Sequence, residues 1–380
     1  METIQMKKQL LAVAVASAFA STAFAANVTV YGAVDTGLVY THKSFGGSDP
    51  VDADVNKFSL DSGVLGASKF GFKGTEDLGN GYSVSFQLEN GFKADSGALS
   101  GADDNKLFDR EARLSLNTPY GTVSFGRMGA LTSGAGTYDV FQATGDSLDG
   151  GNSDYIATGY WFDRARYDNM ITLVTPEANG FTGYAQYSFA TKGTEDASVR
   201  NNNRYAALGL TYSAGALNVA VVADTVLRTR AVEKVNGDAQ AISFGANYDF
   251  GVTKAFFGAQ YGNHEEISGD YNVLNKETHK VVPAGSDFFK GYNLHIGAAT
   301  PLPCGTLTVS AFYSDYEAED DNTISAKKYG FGAMHEYAVS KRTTFYTGAG
   351  YAQTEFKDDE DGSSARVKGI NVTLGLNHKF

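Results

Sequence analysis

The run Ile370-Asn371-Val372-Thr373-Leu374-Gly375-Leu376-Asn377-His378-Lys379-Phe380 changes side-chain character at every step. Ile370, Val372, Leu374, Leu376, His378 and Phe380 fall on one parity, and Asn371, Thr373, Gly375, Asn377 and Lys379 on the other. A period of two means a β-strand with one apolar and one polar face. The same period appears upstream, where Tyr82, Val84, Phe86 and Leu88 alternate with Ser83, Ser85, Gln87 and Glu89. It also appears near the start, where Val28, Val30, Val34, Leu38 and Tyr40 oppose Thr29, Ala33 and Asp35. A soluble β-sandwich shows this alternation too, so the period alone does not choose between them.

Three further observations choose. Many alternating stretches exceed the roughly 5–6 residues usual in globular strands and reach the roughly 9–11 that a membrane-crossing strand needs. The connections alternate in length. Short turns read at Gly79-Asn80-Gly81, Pro119-Tyr120-Gly121, 176–180, Ala214-Gly215, Phe250-Gly251, 301–305 and 339–342. Long polar segments lie between them at 42–56, 93–106, 129–159, 191–203, 228–239, 264–289, 317–326 and 357–366. Short on one side and long on the other is the asymmetry of outer-membrane barrels. Finally, the last residue lies in a strand, which puts both termini on the short-turn side. Seven short and eight long connections give sixteen strands. The expected fold is all-β, a sixteen-stranded antiparallel transmembrane β-barrel with long extracellular loops and short periplasmic turns. A soluble sandwich array would have to produce the same alternation without any domain linker.

Composition agrees. The chain of 380 residues has 44 Gly, 47 Tyr plus Phe, and only 6 Pro, which excludes collagen-like and Pro-rich disordered chains. Its single cysteine, Cys304, excludes a disulfide framework. Acidic residues outnumber basic ones 43 to 31, a net charge of -12 that argues against nucleic acid as a partner. Past residue 26 no run approaches the roughly 18–20 apolar residues of a spanning helix. Residues 1–25 read as a signal peptide: Lys7 and Lys8 precede an apolar stretch, and Ala23-Phe24-Ala25 suits cleavage. Residues 26–380 are then the barrel, exported to the cell outer membrane of a Gram-negative bacterium.

Particular strings resemble one family, the Gram-negative general porins of the β-proteobacterial and neisserial type. They include Asn27 to Asp35, the string Ser68-Lys69-Phe70-Gly71-Phe72-Lys73-Gly74-Thr75-Glu76-Asp77-Leu78-Gly79-Asn80-Gly81, Tyr120 to Arg127, and Gly375 to Phe380. The resemblance implies a homotrimeric channel for passive diffusion of small ions and hydrophilic solutes, with an inward-folded third loop. It also implies contact with outer-membrane lipids and lipopolysaccharide, and an assembly signal at Phe380 read by the barrel assembly machinery.

Parity assigns the lumen. Phe70 and Phe72 point outward, so Lys69 and Lys73 point in, and Glu89 shares the inner face of the next strand. Leu114 and Leu116 point out and Arg113 in; Ile171 and Leu173 point out, leaving Arg164, Arg166 and Asp168 inside. A charge facing lipid costs about 2–4 kcal/mol at the midplane, which favours these inward placements. Lys69, Lys73, Arg113, Arg164 and Arg166 are therefore candidates for the basic wall of a constriction. Glu89, with Asp139, Asp146 and Asp149 of the third long segment, is the candidate acidic side facing it; Asp154 lies in the same segment. Those aspartates read equally as solvated loop charges. Such a basic wall implies weak anion selectivity. Arg127 has outward parity, tolerable where it can pair, and resembles a subunit-contact position of the family.

The acid-rich runs Glu317 to Asp321 and Asp358 to Asp361 offer oxygen ligands for loose Ca2+ or Mg2+, without an EF-hand pattern; no dedicated cofactor or metal site is expected. The six histidines lie in no hydrolase or zinc-protease motif. A barrel hydrolase and a barrel acting mainly as an adhesin or receptor surface are the competing readings.

Overall fold

A computed structural model describes residues 28–47, 54–100, 106–145, 162, 164–193, 195–198, 201–229, 237–267, 288–319, 321–360 and 362–380. The expected signal peptide lies outside them. Seventeen strand segments form one antiparallel sheet. They are β1 (Thr29–Gly47), β2 (Val55–Ser62), β3 (Lys69–Gly79), β4 (Tyr82–Gly91), β5 (Glu111–Thr118), β6 (Gly121–Gly129), β7 (Arg166–Val174), β8 (Phe181–Ser188) and β9 (Arg204–Ala214). They continue as β10 (Leu217–Leu227), β11 (Ala239–Asp249), β12 (Lys254–Glu265), β13 (Phe289–Leu302), β14 (Gly305–Ala318), β15 (Ile324–Ala338), β16 (Thr343–Asp358) and β17 (Ser364–Lys379).

Apart from β2 and β3, consecutive segments pair by hairpins, and β1 pairs β17 from Ala33↔Lys379 to Gly47↔Ala365, so the sheet closes on itself. β2 and β3 occupy one position in the ring. β2 pairs the second half of β1, Thr36↔Ser62 to Lys43↔Val55, and β3 pairs its first half, Thr29↔Lys73 to Ala33↔Lys69. Residues 63–68 interrupt that strand and turn inward. The ring is therefore a sixteen-stranded barrel, as the alternating loops imply. Its outer face carries the apolar parity: Val30, Leu38, Leu114, Phe125, Leu173, Leu208, Ile242, Ile296, Phe331 and Leu374 are all exposed. Closure matters because an open edge would leave backbone N–H and C=O groups unpaired in hydrocarbon, at several kcal/mol each.

One carboxylate fastens the seam. Asp35 on β1 is fully buried and accepts from Asn377 Nδ2 of β17 (2.8 Å) and from Tyr346 Oη of β16 (3.0 Å). It also accepts from the backbone N–H groups of Val64 (2.7 Å) and Leu65 (3.3 Å) in the interruption. Val64, Leu65, Val39, Met334 and Tyr346 pack as a small apolar cluster beside it. The first, second and last two barrel strands thus meet at a single charged group. Removing an acceptor strands each buried donor at a cost of about 1–3 kcal/mol. Asp35→Leu should lower the unfolding temperature of the detergent-solubilised barrel markedly, and Asp35→Asn should lower it less; equal midpoints for all three proteins would show that the clamp contributes nothing.

Candidate functional site

The lumen is charged on one wall and occupied by chain on another. On β3, β4 and β5 the register sets Gly71 opposite Glu89 and Glu89 opposite Glu111. Glu89, buried among cations, bonds Lys69 Nζ at 3.2 Å and Arg110 Nε at 2.7 Å. Tyr31 Oη donates to it at 2.9 Å and accepts from Gln87 Nε2 at 2.8 Å. Lys73 Nζ lies 5.1 Å from the centre of the Tyr31 ring, a cation–π contact. One strand further on, Arg113 bonds Glu111 (3.2 Å), Gln87 (2.8 Å) and Ser115 (2.8 Å) and stacks over the Tyr138 ring.

The third long loop is folded inward and fastened to this wall. Thr137 N donates to Glu111 Oε1 (3.0 Å), Arg113 donates to Thr137 Oγ1 (3.3 Å), and Arg166 donates to the Ala135 carbonyl (2.8 Å). Tyr138 shares a short hydrogen bond with Ser124 of β6. Behind the loop, Leu131, Val140, Met128, Met170, Tyr205, Ala207, Ala220 and Val222 form a closed apolar core, with Phe141 and Tyr138 against it. Full burial of one such large side chain contributes about 1.5–3 kcal/mol. Glycine makes the room: a Cβ at Gly245 would stand 2.7 Å from Phe141 Cδ1, and one at Gly209 2.8 Å from Leu131 Cδ1.

The candidate residues divide. Lys69, Lys73, Arg113 and Arg166 come together with Glu89 and Glu111. Glu89 does not face the basic wall from across the lumen; it sits within it, because adjacent strands set its side chain between Lys69 and Arg110. Arg110 was missed by parity, since it precedes the first paired residue of β5. Arg164 leaves the free cations: it is buried, with Nε 2.6 Å from Asp224 and both terminal nitrogens 2.6–2.7 Å from the Glu265 carboxylate. That triad ties the return limb of the loop to β10 and β12; burial works to lower the Arg164 guanidinium, and its pairing with Glu265 and Asp224 outweighs this and holds it above its usual range.

Asp168 is not with the lumen bases. Asn169 has φ 52 and the β6–β7 register slips between Gly126 and Met128, which resets the parity. Asp168 instead bonds Arg127 (2.6 Å), Lys106 (3.0 Å) and the Gly193 N–H (2.8 Å). Arg127 therefore finds its partner inside its own chain, together with the carbonyls of Asp109 and Arg166. Asp139 is buried within the loop, where it accepts from Phe141 N at 2.8 Å, and does not present a free charge to the lumen. Asp146, Asp149 and Asp154 lie outside the described residues. Phe380 exchanges backbone hydrogen bonds with Gly32 (3.0 and 3.1 Å) and stays half exposed.

A closed sixteen-stranded barrel with a charged inner wall and an inward loop defines an outer-membrane diffusion channel. The profile of the Gram-negative porins matches residues 12–359, and the chain belongs to that family. It is 30% identical to an outer membrane porin protein of Bordetella pertussis, over 99% of this chain and 100% of that one. It is 29% identical to outer membrane porin protein 32 of Delftia acidovorans, with the same coverage of both chains. A solved structure titled anion-selective porin from Comamonas acidovorans has the same fold, with a TM-score of 0.61 at 23% identity over 94% of this chain and all of that one. The protein is an outer-membrane porin.

Burial pushes the Asp139 carboxyl up from 3.8 to about 7, against the backbone hydrogen bond from Phe141. The docked loop thus holds a proton that the undocked loop releases, so docking weakens as pH rises from about 4 to about 7 and levels off above. Proteolytic cutting within residues 130–145 should increase across that window in the native protein and stay flat in Asp139→Asn; a native profile without slope there would refute the burial argument.

Proposed function

We propose that the β3–β5 wall and the docked loop form the constriction, and that it prefers anions weakly. The observation that carries this is the wall itself: Lys69, Lys73, Arg110, Arg113 and Arg166 against Glu89, Glu111 and Asp109, five cations to three carboxylates. At contact range in a narrow lumen the effective dielectric is below that of water, so these groups outweigh acids at the loop tips. Screening confines the loop charges to about 8–10 Å at physiological salt. The anion-selective porin from Comamonas acidovorans, which shares the fold, agrees in direction. Passive diffusion needs no chemistry, and the wall carboxylates Glu89 and Glu111 are tied to bases rather than held free as general acids.

Double replacement of Arg113 and Arg166 by glutamine should move the reversal potential in a salt gradient toward cation preference. Neutralising Asp358, Asp359 and Glu360 should move it much less, with an effect that fades as salt is added. A larger shift from the loop variant would refute the constriction assignment.

The working unit in this reading is a homotrimer. Among the described residues β2 has a ladder partner only on its β1 side, while Phe58 and Leu60 are exposed on its outer face. An unpaired apolar edge invites a second protein surface. The half-exposed Phe380 ring at the short-turn rim suits recognition by the assembly machinery. Unheated gels should show an SDS-resistant trimer; migration as a monomer with full channel activity would exclude it.

A further inference from the structure

On the outer wall of β8 to β12 the small side chains are not scattered. Cross-strand register aligns Tyr187, Ala206, Thr225, Gln240 and Asn263 in one row. The next row, away from the long loops, is Ala185, Leu208, Ala223, Ile242 and Tyr261. Ala206 and Ala223 leave a depression between the exposed side chains of Leu208, Ile242 and Tyr261, a groove of about 580 Å³ with an almost wholly apolar lining. That volume is within the roughly 300–1,000 Å³ of small-ligand sites. The rows lie at the long-loop ends of their strands, so the groove opens to the outer leaflet, with Thr225, Gln240 and Asn263 as its polar lip.

A cation stands over that lip. Arg204 opens β9 two residues before Ala206, about 6–7 Å further toward the loops. It shares the parity of Ala206 and Leu208, and its guanidinium leans on Tyr187, with one terminal nitrogen 3.4 Å from Tyr187 Oη. Its Nε is buried without a hydrogen-bond partner, so an anion would meet the terminal nitrogens, and among the described residues no carboxylate pairs with it. A guanidinium at the lipid boundary is costly unless an anion meets it. We propose that this wall holds one phosphate-bearing lipid of the outer leaflet, its acyl chain in the Ala206–Ala223 groove and its phosphate on Arg204. The site rests on the outer-membrane placement of the wall and is independent of the channel's ion preference.

Native mass spectrometry of the full-length barrel in detergent, titrated with lipid A and with phosphatase-treated lipid A, tests this. The native protein should retain one lipid A per chain and hold the dephosphorylated lipid about tenfold more weakly. Arg204→Gln should erase the difference between the two lipids. Ala223→Phe, which fills the groove from the lipid side, should weaken both about tenfold, with Ala223→Leu as the milder filling. Ile296→Phe, on the outer wall elsewhere, should bind as the native protein does. Heat-shifted migration reports that each variant is folded. Native-like retention by folded Arg204→Gln and folded Ala223-filling variants, or equal loss in Ile296→Phe, would overturn the site.

Discussion

Backbone hydrogen bonding in hydrocarbon governs this molecule. Every strand that meets lipid must give all its N–H and C=O groups to neighbours, so the first strand has to find the last. The two are more than three hundred residues apart in sequence, and generic ladder bonds do not specify which strand meets which. Asp35 supplies specificity at that seam, because only the closed ring brings Asn377, Tyr346 and the 63–68 interruption to one carboxylate. A buried anion is expensive unless fully bonded, and here the bonds come from three different barrel positions.

The lumen is organised by the same economy of polar groups. The charged side chains of the β3–β5 wall satisfy one another, and the loop fills what they leave by adding its own amides and hydroxyls. Glu111 and Arg113 each bond both the wall and Thr137, so the charges where loop meets wall are interleaved rather than set on two opposed faces. On the far side the loop is held by apolar burial and by Arg164 between two acids. Removing one member of that triad would leave buried charge uncompensated, a loss of about 3–5 kcal/mol.

Much of this was legible in the sequence. Alternation and loop lengths give sixteen strands, and the parity of β3 to β5 puts Lys69, Lys73, Glu89 and Arg113 on one face, where the structure sets Lys69 and Arg113 around Glu89 and Glu111. Where parity fails, a backbone irregularity is responsible. The slip at Gly126–Met128 and the left-handed Asn169 reassign Asp168, and neither leaves a period-two signature, since a bulge adds one residue without changing composition. Arg110 escapes notice because it lies outside the ladder. Arg164 shows a different limit: parity says that a side chain points inward, but not whether it meets water or two carboxylates from β10 and β12. The interruption at 63–68 was hidden because its residues, Gly63 to Ser68, also read as ordinary strand punctuation.

The inner-wall glycines carry a consequence for the order of events during assembly. The sockets that accept Leu131 and Phe141 lie at Gly209 and Gly245, and Gly262 beside Phe162 completes them. These positions belong to β9, β11 and β12, well downstream of the loop itself. The loop therefore has no seat until those strands are paired. Docking of the loop is thereby placed after pairing of the downstream strands, and a wall that grew side chains at those glycines would close into a barrel with its third loop unseated.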